Sequence, residues 1–193
     1  MIKLSIIIPI YNGEEFIKRA LDSIPVRDDI EVICIDDCST DHTLEILNNY
    51  KRLPLKIFHN EQNMGIGYTT NVGINNSTGL YFTGMDIDDY YITEIFENCL
   101  DTIQLEADIY NFDYLENNGT IRPFSNISGL PGKWVKKAFI GNTRFRNERY
   151  KTDMYFMNDL RAKGPREAFL HVVYYRYNYP RVGSIDWQRT HGA

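Results

Sequence analysis

Apolar positions in the first hundred residues come in short blocks that alternate between two patterns. Leu4–Ile10 is an apolar run of the kind found in a strand covered on both faces of a parallel sheet. Phe16, Ile17, Ala20, Leu21 and Ile24 then recur at helical spacing and predict a helix over residues 14–23. The same alternation predicts strands at 31–35, 55–58 and 80–84, and helices at 41–50, 66–75 and 93–105. Thr93 is the expected N-cap of the last helix, while Gly67 and Gly73 give the helix at 66–75 poor propensity. This βαβαβαβ order predicts an α/β fold: a mostly parallel central sheet with right-handed crossovers and flanking helices. Ligands of such sheets bind beyond the carboxyl ends of the strands, which directs attention to residues 11–14, 36–41, 59–65 and 86–89.

The second half is less regular. A strand is expected over 109–115, turning at Asn117-Asn118-Gly119 into a hairpin. Residues 123–132 read as loop, 133–140 and 153–163 as helices, and 168–175 as a strand. With no repeat, low-complexity tract or linker, one domain over 1–193 is expected.

Charge divides the chain more sharply than the net value of -5 suggests. Residues 1–120 carry 7 Lys+Arg against 21 Asp+Glu, and residues 121–193 carry 14 against 5. The acidic part is a source of metal ligands. The basic part, notably Lys133, Lys136, Lys137, Arg144, Arg146, Arg149 and Lys151, can face phosphates, an anionic membrane surface or simply water. Three cysteines make no disulfide framework, and no apolar run reaches the ~20 residues that span a bilayer. Met1-Ile2-Lys3 enters the first strand without a cleavable-signal pattern, so the expected setting is cytoplasmic. No nucleic-acid partner is expected.

Asp86, Asp88 and Asp89 place three carboxylates in four residues just after the fourth strand. They repel one another unless something neutralises them, and Mg²⁺ or Mn²⁺ with phosphate and water ligands does so. Alternation along an extended stretch would put Asp86 and Asp88 on one side; the plainer alternative is an acidic turn opening the next helix. In the segment Asp36-Asp37-Cys38-Ser39-Thr40-Asp41 a carboxylate can accept from a nucleobase N–H or a ribose hydroxyl. Ser39 or Thr40 would cap the following helix, which leaves the Asp36–Asp37 pair unexplained. Pro9-Ile10-Tyr11-Asn12-Gly13-Glu14 has one glycine, so it is neither a dinucleotide fingerprint nor a phosphate loop. Tyr11 either stacks on a base or packs. Cys34 and Cys38 lack a matching Cys/His pair and read as strand and turn residues. Tyr174, Tyr175, Tyr177 and Tyr179 are core packing or an aromatic grip on a ligand ring.

Six segments follow one another in order: SIIIPIYNGEEFI at 5–17, ICIDDCSTDHT at 33–43, NEQNMGIGYTTNVG at 60–73, DIDD at 86–89, RFRNERYKTDMYFMNDLRAK at 144–163 and VYYRYNYPRVGS at 173–184. Together they closely resemble glycosyltransferase family 2, inverting enzymes of the GT-A fold. The resemblance implies a nucleotide-diphospho-sugar donor, UDP-linked, and transfer with inversion to a hydroxyl of a glycan or lipid-linked sugar in bacterial surface polysaccharide or glycolipid synthesis. It implies that Pro9, Tyr11 and Glu14 line the nucleotide pocket and that Asp37 binds the base. Asp86 and Asp88 match the Asp-x-Asp motif, with Asp88 in direct contact with Mg²⁺ or Mn²⁺. Asp153 matches the catalytic base, with Glu148 and Asp159 as alternatives, and Arg176 matches an arginine that touches the donor phosphates. Residues 1–115 would form the nucleotide-sugar and metal-binding part, and 116–193 the acceptor part.

Two positions depart from the family pattern: Thr152 where Glu usually precedes the base, and Thr70 where a basic residue usually precedes Asn71. Both favour the rival reading of a non-catalytic nucleotide-sugar-binding subunit. A sugar-nucleotide pyrophosphorylase would carry a Gly-rich, Arg- and Lys-containing loop after the first strand, which residues 11–14 are not. The basic segment motivates a peripheral contact with an anionic membrane that carries the acceptor.

Overall fold

The computed structural model describes residues 1–123, 129–148 and 151–178. Arg149, Tyr179 and the end of the closing motif lie outside the described residues. The first half forms β1 (Leu4–Ile10), α1 (Ile17–Asp22), β2 (Ile30–Asp36), α2 (Thr43–Asn49), β3 (Leu55–His59), α3 (Ile66–Asn76) and β4 (Tyr81–Gly84). A two-residue strand β5 (Tyr90–Tyr91) and helix α4 (Thr93–Thr102) follow. The second half contributes β6 (Ile109–Glu116), β7 (Ile121–Arg122), β8 (Lys133–Lys136), α5 (Lys137–Ile140), α6 (Thr152–Arg161) and β9 (Glu167–Tyr177).

All strands join one sheet in the order β3-β2-β1-β4-β8-β6-β9-β5, with β7 paired to β6. The β3-β2-β1-β4 part is parallel, as the alternation predicted. Antiparallel β8 then splices the second half onto β4, and β9 lies parallel to β6. One face is covered by α1, α2 and α4 through Ile17, Leu21, Leu47 and Phe96; the other by α3 and α6 through Ile74, Phe156 and Leu160. No helix among the described residues is long and apolar enough to cross a membrane.

Three local expectations need correction. Residues 133–140 are not one helix, because Lys133–Lys136 is a strand pairing with β4 and β6, and only the turn Lys137–Ile140 is helical. Tertiary pairing of a four-residue alternating stretch outweighs its helical propensity. Thr93 does not cap α4; its hydroxyl donates to the Ser23 carbonyl at 2.9 Å, tying the helix to the end of α1. Ser39 and Thr40 do not cap α2 either. Ser39 Oγ accepts from the Asn12 N–H and Thr40 N–H donates to Asn12 Oδ1, which locks the loop after β2 to the loop after β1. Asp41 does the local work, accepting from Thr43 N–H and Glu14 N–H.

Candidate active site

β1 is the strand from which the chain departs in both directions, to β2 on one side and β4 on the other. Its ladder with β4 ends at Ile7 opposite Gly84, closed by the Met85 N–H donating to the Ile7 carbonyl at 3.0 Å. The next β1 donor on that side would come from residue 9, and Pro9 has none. The two strands part there, and a shallow cleft opens at their carboxyl ends, the switch point of the sheet. Pro9, Gly84, Met85 and Asp86 at the strand ends, Ile66 and Thr70 of α3, and Leu130 and Pro131 line it. Asp153, in the first turn of α6, completes it. Three residues widely separated in sequence, Pro9, Asp86 and Asp153, thus meet in one cleft.

The acidic segment is a turn, not an extended stretch, since the Asp89 N–H donates to the Asp86 carbonyl at 3.0 Å. The alternation argument for Asp86 and Asp88 therefore does not apply. Asp89 is buried inside it: Tyr175 Oη donates to one carboxylate oxygen at 2.5 Å and Asn178 N–H to the other at 2.7 Å. Burial, and then the charge of Asp88 beside it, push Asp89 up to about 7. Asp89 is thus an anchor, while Asp86 and Asp88 stay half-buried. Arg19 donates to the Asp88 carbonyl at 2.6 Å and lies over the Tyr90 ring at 4.9 Å. Arg176 lies 5.6 Å from the centre of the same ring, set there by the Tyr90–Arg176 register of β5 and β9. It flanks the acidic turn and is not among the residues lining the cleft.

Asp86 and Asp88 offer only oxygen donors, a set that suits a hard cation completing its shell with phosphate and water. Among the described residues no three His, Cys, Asp or Glu side chains converge on one point.

The other candidates sit on the adjoining loops. Asp37 is buried, accepting from Asn60 Nδ2 at 2.7 Å, Met64 N–H at 2.9 Å and Gly65 N–H at 2.8 Å. It organises the loop that enters α3, and Asp36 beside it holds His59 at 2.8 Å. The pair that capping left unexplained therefore ties β2 to the β3–α3 connection. Tyr11 is exposed. Glu14 is also exposed and accepts from the backbone N–H and ring of His42, which hold its carboxyl below the usual range. Neither lines the cleft. Tyr174 and Tyr175 are fully buried among aromatic rings, so they pack and do not grip a sugar.

The two departures acquire a local explanation. Thr152 is buried, and its methyl group would lie 3.4 Å from a Cβ on Gly67, so it packs against α3. Thr70 lines the cleft with its hydroxyl donating back to the Ile66 carbonyl at 2.7 Å. Of the alternatives for the base, Asp159 is held by Arg146 at 2.8 Å and Glu148 is exposed; neither lines the cleft. The basic segment is divided between the interior and the surface, where Arg146 and Lys151 are exposed. Lys133 is buried, Lys137 donates to the Ser77 carbonyl, and Arg144 bonds Asn75 at 2.9 Å.

The sequence profile of glycosyl transferase family 2 matches residues 5–163. The chain belongs to that family. Among curated family relatives, the poly(ribitol-phosphate) beta-glucosyltransferase of Bacillus spizizenii is 32% identical over 148 residues, 73% of this chain and 22% of the relative. Among solved structures, S. aureus TarS 1-349 in complex with UDP-GlcNAc superposes with a TM-score of 0.85 at 26% identity, covering 95% of this chain and 60% of that one. The mannosyltransferase PcManGT of Pyrobaculum calidifontis, in complex with GDP-Man and Mn²⁺, shares the fold with a TM-score of 0.77 at 18% identity, covering 96% of this chain and 59% of that one. The chain spans only 22% and 17% of the lengths of the first curated relatives it matches.

Sequence reasoning missed Tyr175 and Arg19, which hold the acidic turn, and Leu130, which walls the cleft. No local signal marks them, because each acts through a partner more than fifty residues away or through the cleft itself.

Proposed function

We propose that this family 2 member transfers a sugar from a UDP-linked donor to an acceptor hydroxyl with inversion, in the synthesis of a bacterial surface polysaccharide or glycolipid. The observation that carries this is the meeting of Asp86 and Asp153 across one cleft at the sheet's switch point. The polymer-glycosylating activity of the Bacillus spizizenii relative, and the UDP-GlcNAc bound to TarS, support the choice of donor and of polymer class.

In this reading the diphosphate lies along the Asp86–Asp88 turn, and the base occupies the loops held by Asp37, between Tyr11 and the Asn60–Gly65 segment. Asp153 takes the acceptor hydroxyl proton as that oxygen bonds to the anomeric carbon and the bond to the diphosphate breaks. Its place in the first turn of α6 favours the ionised form that a base requires. A divalent cation held by Asp88 and Asp86 would supply positive charge against the departing diphosphate. Arg176 and Arg19, beside the same turn, add positive charge there. Residues 1–115 serve the donor and 116–193, Arg176 apart, the acceptor.

Thermal unfolding with UDP, GDP, CDP and ADP, each with and without Mn²⁺, tests this on wild type and Asp88→Ala. A ligand at about 100 times its Kd stabilises by roughly 2.7 kcal/mol, a shift of several degrees for a chain of this size. The expected result is a Mn²⁺-dependent shift with UDP that Asp88→Ala abolishes. No shift with any nucleotide overturns the reading.

A further inference from the structure

The site as described leaves one buried charged group without a task. Lys133 opens β8, and alternation along Lys133–Lys136 puts Trp134 in the core under α4 and Val135 in the core under α6. Lys133 shares the face of Val135. Its side chain is 0% exposed, and Nζ has no hydrogen-bond partner among the described residues. An uncharged side chain would fill such a position at lower cost, so packing alone does not account for a lysine.

Three charged groups lie within electrostatic range of Lys133, none of them hydrogen-bonded to Nζ: Arg161 and Asp153 from α6 and Glu167 from β9. Arg161 and Glu167 are already joined at 3.1 Å, and Glu167 also accepts from Asn111 Nδ2 at 2.9 Å. Asp153 is the other carboxylate that favours the ammonium. The backbone sets the turn that leads into β8 beside Asp153. The Lys133 N–H donates to the carbonyl of Leu130, which walls the cleft, and a Cβ on Gly129 in the same turn would lie 3.1 Å from Asp153 Oδ2.

We propose that Lys133 is a positioning residue for Asp153, its buried ammonium keeping that carboxylate ionised at the edge of the cleft. This rests on the reading of Asp153 as the base. Burial, assisted by Arg161, draws Lys133 down to about 7, while Asp153 and Glu167 oppose the fall. Its charge is therefore present below neutrality and lost as pH rises through that value, and the coupling to Asp153 is reciprocal.

The deciding measurement is a titration of the Lys133 side-chain NMR signal in isotopically lysine-labelled chain, wild type against Asp153→Asn. The midpoint is expected near 7 in wild type and about one pH unit lower in the variant. Equal midpoints overturn the proposal. A second arm follows UDP-sugar turnover against pH in Lys133→Met, Asp153→Asn and the double variant. Lys133→Met should move the acidic limb to higher pH while retaining the UDP-induced thermal shift, and should add nothing to Asp153→Asn. A loss that is equal at every pH and accompanied by a lower unfolding temperature means a structural role and overturns the proposal. If Asp153→Asn retains turnover, the base reading fails by itself, and the NMR titration still decides the electrostatic coupling. If Lys133→Met does not fold, the titration alone decides.

Discussion

The hydroxyl of Tyr175 in β9 donates to the carboxylate of Asp89 at 2.5 Å and accepts from the backbone N–H of Asp86 at 3.2 Å. One side chain from the far end of the chain thus spans the acidic turn. Tyr175→Phe removes both bonds and leaves Asp89 buried with one fewer donor, a loss of about 1–3 kcal/mol. The expected outcome is a melting temperature several degrees lower and a weaker Mn²⁺-dependent response to UDP. Thermal unfolding with and without ligand measures both.

Asp153→Asn keeps the size and polarity of the side chain and removes its ability to take a proton. Donor binding should be unchanged, with turnover reduced on the order of 10²–10⁴. Calorimetric titration with UDP beside a turnover assay separates the two effects.

Gly73→Ala would ordinarily stabilise a helix interior by up to ~1 kcal/mol. Here a Cβ on Gly73 would lie 2.3 Å from Ile7 Cγ2 and 2.9 Å from Ile35 Cδ1. The helix lies directly on β1 and β2, so overpacking wins, and a net destabilisation of about 1–3 kcal/mol is expected in denaturant unfolding.

Glu31, buried in β2, accepts from Ser5, Lys56, Thr78 and the Gly79 N–H. Burial pushes its carboxyl up, but these donors prevail and hold it at about 2 instead of 4.5. A carboxylate depressed by folding stabilises the fold fully above its unfolded value and loses that contribution as pH falls toward the folded one. Glu31→Gln should therefore cost about 1–3 kcal/mol at neutral pH, and the difference from wild type should shrink below pH ~4 and approach zero near pH ~2. Urea unfolding across that range tests it.

Much of this architecture was legible where local pattern and tertiary role agree. Leu4–Ile10 begins and ends where its apolar run does, because a strand buried on both faces leaves no choice of residue. The hairpin at Asn117–Gly119 formed as expected, with Gly119 at a φ of 84° and Leu115 opposite Ile121. Asp86 and Asp153 were identified by motif resemblance, and the cleft unites them. Reading failed where a residue's partner is distant. Lys133–Lys136 has no strand signal stronger than its helical one until β4 and β6 flank it. Ser39 and Thr40 look like caps because the Asn12 side chain that claims them lies in another loop. The aromatic cluster at 174–177 could not be divided between core and surface without the sheet that buries Tyr174 and Tyr175.

The bonds from Tyr175 and from Asn178 to Asp89 bridge sequence separations of 86 and 89 residues. As the chain emerges from a ribosome, β1 to β4 can assemble well before β9 exists, yet Asp89 has neither donor until β9 arrives. A nascent chain halted before residue 167 would hold the parallel β3-β2-β1-β4 part beside an acidic turn whose buried carboxylate still lacks both donors.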